Sequence, residues 1–232
     1  MHGMGEAGEA GDADGGGGGN ANAGVSFPLT DLELQARNHA ILCTLGFLVL
    51  LPIGALVARY SRTLPYKWFW AHWIIQLLIT APIIGVGWSL GYKTTTELEL
   101  GHFKDPHEQV GLALIILYAI QVVLGAIAHF FKLPTVFRGY RPPHSYLHVI
   151  LGLAIFALAQ WQVHYGLFTE WTIALGGLHQ VTNSAKQAWL ALVIVFWVLY
   201  GLGMALLPRQ FKQESQMRKA RKADPNSTHS SA

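Results

Sequence analysis

Five stretches without a charged side chain run through this sequence, at 38–58, 68–92, 109–131, 142–169 and 187–208. They are 21, 25, 23, 28 and 22 residues long. A hydrocarbon core about 30 Å thick is crossed by about 20 helical residues at 1.5 Å each, so every stretch is long enough to span a bilayer. Lipid offers no partners to backbone N–H and C=O groups, so a span must satisfy them internally, as a helix does. The expected fold class is therefore an all-α membrane protein, a five-helix transmembrane bundle. Composition agrees, with 52% hydrophobic residues and 12% charged, about half the charge of a soluble domain. That is too little polar material to coat a water-soluble surface. It excludes an ordinary soluble enzyme and a binder of nucleic acid through a basic face, and it makes membrane lipid the expected surroundings. The single cysteine, Cys43, excludes an internal disulfide framework and any cysteine-built zinc or iron–sulfur site. Pro52 and Pro82 lie inside two spans and predict kinks in them.

Five is an odd number, which puts the termini on opposite sides. With the N-terminus outside or lumenal, the inner segments hold 12 of the 16 basic residues, among them Arg59, Arg62, Lys132, Arg138, Arg141 and the run from Arg209 to Lys222. The positive-inside rule favours that orientation, with the C-terminus cytosolic. Aromatic residues at the inner start of the second span (Tyr66, Trp68, Trp70) and the outer end of the fourth (Trp161, Tyr165, Trp171) fit interface belts. The chain divides into a Gly-rich leader at 1–35, expected to be disordered, a transmembrane domain at 36–210 and a basic, disordered cytosolic tail at 211–232. The leader holds ten glycines and no Lys or Arg in its first 24 residues. It has no apolar core of a signal peptide. Asn226-Ser227-Thr228 is a glycosylation sequon that this orientation leaves in the cytosol.

Eleven histidines are many for such a chain, and an ionisable side chain in a span is a functional candidate by default. Four of them, His39, His72, His107 and His148, stand near the starts of the first four spans. Successive spans alternate in direction, so His39 and His107 share the outer side while His72 and His148 share the inner side. Two imidazoles from facing helices are the axial ligands of a six-coordinate b-type haem. Each pair is thus a candidate cofactor-binding and metal (haem iron) site, giving two b haems (heme b) paired His39–His107 and His72–His148. Gly111 and Gly152 follow His107 and His148 by one turn and Gly46 follows His39 by two turns, where a small residue leaves space for a porphyrin edge. Gln76 takes that place after His72. Asn38 and Gln76 are candidate supporting residues, and His129, His144 and His164 rank below the four. No acid–base or nucleophilic constellation is present, so no catalytic residue is assigned.

At these residues the sequence resembles the cytochrome b561 family, and most closely its fungal-type transmembrane-domain proteins. The stretches concerned are HAILCTLGFLVLLPIGALVARY (39–60), WFWAHWIIQLL (68–78), HEQVGLALIILYAIQVVLGAIAHFF (107–131) and HSYLHVILGL (144–153). The family's four ligating histidines carry over to His39, His72, His107 and His148. The resemblance implies transmembrane electron transfer from a cytosolic reductant such as ascorbate to an acceptor on the opposite face, namely ferric iron, monodehydroascorbate or a redox partner protein. It implies an electron-transfer protein of the ferric or monodehydroascorbate reductase kind, and a homodimer is among the expected assemblies. Many fungal relatives carry this domain behind a haem-binding DOMON domain. The short leader leaves no room for one, so a stand-alone form is expected. GALVARYSR (54–62) departs from the motif of the ascorbate-dependent plant and animal members but keeps Arg59 and Arg62 as candidates to hold an anionic reductant or a haem propionate.

The alternative reading is a multi-span metal or proton transporter that uses the intramembrane histidines directly. Such a site calls for acids or clustered ligands at one depth, and no span holds an Asp or Glu. A ferric reductase of the NADPH oxidase type calls for a second histidine about one haem spacing further along each ligand helix, and the helices of His39 and His72 have none.

Overall fold

A computed structural model describes residues 27–64, 68–99, 101–130 and 142–223. The early leader, Tyr66, Lys67, Lys132, Arg138, Arg141 and the sequon lie outside the described residues. Among the described residues the chain is all helix. Five helices are long and apolar enough to cross a membrane: α1 (Asp31–Ser61), α2 (Trp68–Glu97), α3 (Pro106–Phe130), α4 (Pro143–Ala174) and α5 (Asn183–Met204). A sixth, α6 (Leu207–Ala223), follows them.

Local chemistry sets the helix ends. Thr30 opens α1 with a capping box, its hydroxyl accepting from the Glu33 N–H while the Glu33 carboxylate accepts from the Thr30 N–H, so two orphan donors are met at once. Asp105 and Thr182 accept in the same way at the starts of α3 and α5. The helices overrun their uncharged stretches because capped polar turns continue them beyond the lipid. One departure is in the tail. Residues 211–223, expected to be disordered, continue α6, since LPRQFKQESQMRKARKA lacks glycine and has only one proline, in its first turn, where a missing N–H costs nothing.

Neither proline makes a sharp break. A π-helical turn at Leu45–Leu50 precedes Pro52, and another at Ile74–Thr80 precedes Pro82. A proline offers no N–H to the carbonyl four residues back, and the wider turn shifts the bonding frame to five. The freed carbonyls find side chains: the Thr80 hydroxyl donates to Ile75 O at 2.8 Å and the Tyr118 hydroxyl donates to Gln76 O. A third π turn, Gly166–Glu170, lies in α4.

α1 packs antiparallel along α2, α3 packs antiparallel along α4, and α5 lies against α1 and α4. The core between these hairpins contains Phe47, Leu48, Leu51, Ile84, Leu114, Tyr118, Ile155, Phe156 and Phe196. Outward positions such as Ile116, Ile120, Ile150, Val195 and Leu202 are apolar and exposed, the pattern of a bundle whose solvent is lipid.

Candidate functional site

The four histidines that the sequence singles out meet in two pairs. The rings of His39 and His107 lie 6.0 Å apart between centroids and cross at 79°. Those of His72 and His148 lie 6.4 Å apart and cross at 85°. A metal–imidazole bond of about 2 Å plus about 1 Å from nitrogen to ring centre, taken twice, gives about 6 Å. The spacing of both pairs therefore fits one iron held between two imidazoles. His144, His129 and His164 stand apart from these pairs. His129 stacks on Phe69 and His164 on Phe168 and Trp189.

Each histidine is held by the helix antiparallel to its own. His39 Nδ1–H donates to Gly87 O at 2.7 Å, and His72 Nδ1–H donates to Gly54 O at 2.8 Å. A carbonyl oxygen only accepts, so Nδ1 carries the proton in both rings and Nε2 keeps its lone pair, the tautomer a metal needs. The other hairpin uses glutamines. The Gln162 amide nitrogen donates to His107 O at 2.6 Å and lies 3.0 Å from His107 Nδ1. The Gln121 amide nitrogen donates to His148 O at 2.7 Å.

The intervals match within each hairpin. Gly54 follows His39 by 15 residues, as Gly87 follows His72; Gln121 follows His107 by 14, as Gln162 follows His148. Two antiparallel helices with equal offsets are exchanged by a two-fold axis, so each hairpin is a quasi-symmetric frame for one histidine at either end.

The glycines that matter here are those facing an imidazole across the hairpin. A Cβ on Gly91 would sit 2.7 Å from the His39 ring, one on Gly125 3.0 Å from His148 and one on Gly166 3.1 Å from His107. The glycines expected to clear space on the ligand's own helix do other work in two cases of three. Gly46 admits Ile84, and Gly152 admits the Gln121 amide. Gly111 does border the outer cavity. That cavity, about 430 Å³, is lined by His39, His107, Phe47, Trp88, Glu108 and Glu170 among others, a size typical of a cofactor or ligand pocket.

The remaining candidates have structural partners. Gln76 donates to Leu51 O at 2.9 Å, and Asn38 is exposed. Arg59 donates to Gly203 O at 3.0 Å, tying α1 to the end of α5, and Arg62 lies over the Trp68 ring. The structure also shows a clamp that no motif in the sequence announces. His179, in the α4–α5 loop, bonds the Glu33 carboxylate at 2.7 Å and Phe27 O at 2.9 Å.

The profile of the eukaryotic cytochrome b561 family matches residues 38–173. The ascorbate-specific transmembrane electron transporter 2 of Zea mays is 25% identical over 197 residues, covering 82% of this chain and 80% of that protein. Two cytochrome b561 and DOMON domain-containing proteins of Arabidopsis thaliana also match. One is 40% identical over 39% of this chain and 23% of its own length; the other is 28% identical over 72% and 39%. No solved structure matches the chain significantly. With the profile covering more than half of the sequence and five helices fit to cross a bilayer, the chain is an integral, multi-pass membrane protein and belongs to the eukaryotic cytochrome b561 family, whose cofactor is b-type haem.

Proposed function

We propose that the protein carries electrons across the membrane through two b haems, one held by His39 and His107 and the other by His72 and His148. The observation that carries this reading is the meeting of four half-buried imidazoles in two pairs, one toward each end of the bundle. Along α1 the two levels are 15 residues apart, about 22 Å at 1.5 Å per residue. A six-coordinate haem iron has no position open to a substrate and supplies one-electron exchange.

The chain's own residues do the rest. Gly87 O and Gly54 O fix the His39 and His72 tautomers. Phe47, Leu48, Leu114, Ile155 and Phe156 fill the space between the two levels and keep water out of it. Gly91, Gly125 and Gly166 let the imidazoles stand against helix backbone. No third His, Cys, Asp or Glu joins either pair into a metal cluster among the described residues, which favours haem over direct transport of an ion.

The ascorbate-specific relatives support ascorbate as the reductant. The balance of basic residues supports its entry from the cytosolic side, at the His72–His148 end, with the N-terminus outside. The acceptor on the other face is ferric iron, monodehydroascorbate or a redox partner protein, and residues 36–210 form the electron-carrying domain. The test is a reduced-minus-oxidised spectrum of detergent-purified protein with haem counted per chain. Two low-spin b haems are expected. His39→Ala and His107→Ala should each abolish the low-spin signature of the same haem and leave the second intact. Loss of the other haem alone, or folded protein without haem, defeats the reading.

A further inference from the structure

The two histidines of each pair are prepared differently. His39 and His72 already carry their proton on Nδ1, because a carbonyl faces that atom. His107 faces the amide nitrogen of Gln162 at 3.0 Å, and an NH2 group only donates. There Nδ1 must accept, which puts the ring proton on Nε2, the atom that has to be free to bind iron. At the same time Gln162 Oε1 is buried without a hydrogen-bond partner, in a side chain that is itself only 9% exposed. A buried acceptor with no donor bears the full desolvation penalty of its group, so its place beside a ring nitrogen calls for an explanation.

Resting on the haem reading above, we propose that Gln162 is a positioning residue whose amide turns over when His107 becomes a ligand. The ring proton leaves Nε2 and appears on Nδ1, with no net change in protons. Oε1 then swings to accept Nδ1–H, and the orphaned acceptor is satisfied. Gln121 is the counterpart at His148. It occupies the same interval in the hairpin and bonds the same atom of its histidine. There Gln121 Oε1 and His148 Nδ1 are both buried and both lack a partner, an acceptor and a potential donor on touching residues. Each haem site thus joins one imidazole preset by a fixed carbonyl to one that a movable amide adjusts. Carbonyl or carboxylate acceptors on the outer nitrogen raise ligand basicity, so the glutamines also tune the iron.

The test uses the full chain loaded with haem and reads haem per chain, the reduction potential of each haem and low-temperature EPR g values. Gln162→Met should keep both haems and raise the potential of the one that His107→Ala abolishes, because its imidazole loses an acceptor and becomes a weaker donor. Gln162→Glu should lower that same potential and move its g values toward those of a stronger imidazole donor. Gln121→Met and Gln121→Glu should do the same to the other haem only. Unshifted potentials in the Gln162 variants, or equal shifts in both haems, overturn the proposal while leaving the ligand assignment standing. Should Gln162→Met fail to hold haem, the near-isosteric Gln162→Glu decides by the same criterion. If His107→Ala leaves both haems intact, the ligand assignment itself fails and takes the proposal with it.

Discussion

Glycine at Gly91 shows how narrow the tolerance around these imidazoles is. A methyl group there would lie 2.7 Å from two atoms of the His39 ring, closer than any van der Waals contact. Gly91→Ala therefore combines a helix-propensity gain of up to about 1 kcal/mol with an overpacking cost of about 1–3 kcal/mol. The expected result is reduced haem content at the His39–His107 site and a lower thermal midpoint. Gly85→Ala is the matched control: nothing approaches its Cβ within 4 Å, so it should leave haem content unchanged and stability equal or up to about 1 kcal/mol higher. Thermal unfolding in detergent with haem absorbance as the probe checks both. The four histidines are legible in the sequence because position along a span and alternation of direction sort them without any packing detail. The residues that hold them are not. A single helix displays the neighbours of a histidine along the chain and hides those across from it, which is why Gly46 and Gly152 look like the source of space that Gly91, Gly125 and Gly166 provide. A usable signal is present, in the equal intervals of 15 and 14 residues; these become meaningful only once the two helices of a hairpin are laid antiparallel.

Helix number and approximate extent can be read from the uncharged stretches, since membrane thickness sets them. The ends and internal turns cannot. Thr30 and Asp105 extend α1 and α3 through side-chain caps, and Pro52 and Pro82 are absorbed by π turns whose freed carbonyls need Thr80 and Tyr118. Those partners belong to tertiary structure. The clamp at the start of α1 is of the same kind. His179 faces a carboxylate on one ring nitrogen and a carbonyl on the other, and neither acceptor can donate while Glu33 is ionised. Both nitrogens must then carry protons. The hydrogen bond to Glu33, followed by that to Phe27 O, raises the His179 pKa above its ordinary value. The sign is set by that direction: the clamp's contribution is complete below the unfolded value of about 6.5 and is lost as pH rises through the higher folded value. Hydrogen exchange in residues 27–34 and 175–182 should therefore quicken as pH rises through that folded value. In His179→Gln the exchange should be fast at all pH values and lack the step. A step that survives the substitution assigns the titration to another group.

At the scale of the molecule, two hairpins supply the paired histidines and α5 buttresses them from one side. The positive-inside balance predicts that a C-terminal tag is accessible to protease only from the cytosolic side of sealed vesicles. Protection in inside-out vesicles would reverse the assigned orientation. Such an assay is needed because the frame itself has little polarity. The hairpin of α1 and α2 presents its histidines at equal offsets from the two ends, and so does the hairpin of α3 and α4. Turned upside down, the histidine-bearing frame nearly superposes on itself in register, with His39 taking the place of His72 and His107 that of His148. A conductor built this way does not rectify. Whatever makes current run one way has to be found in the loops and termini, where the acidic residues around Glu108 and Glu170 and the basic turns of α6 have no mirror images.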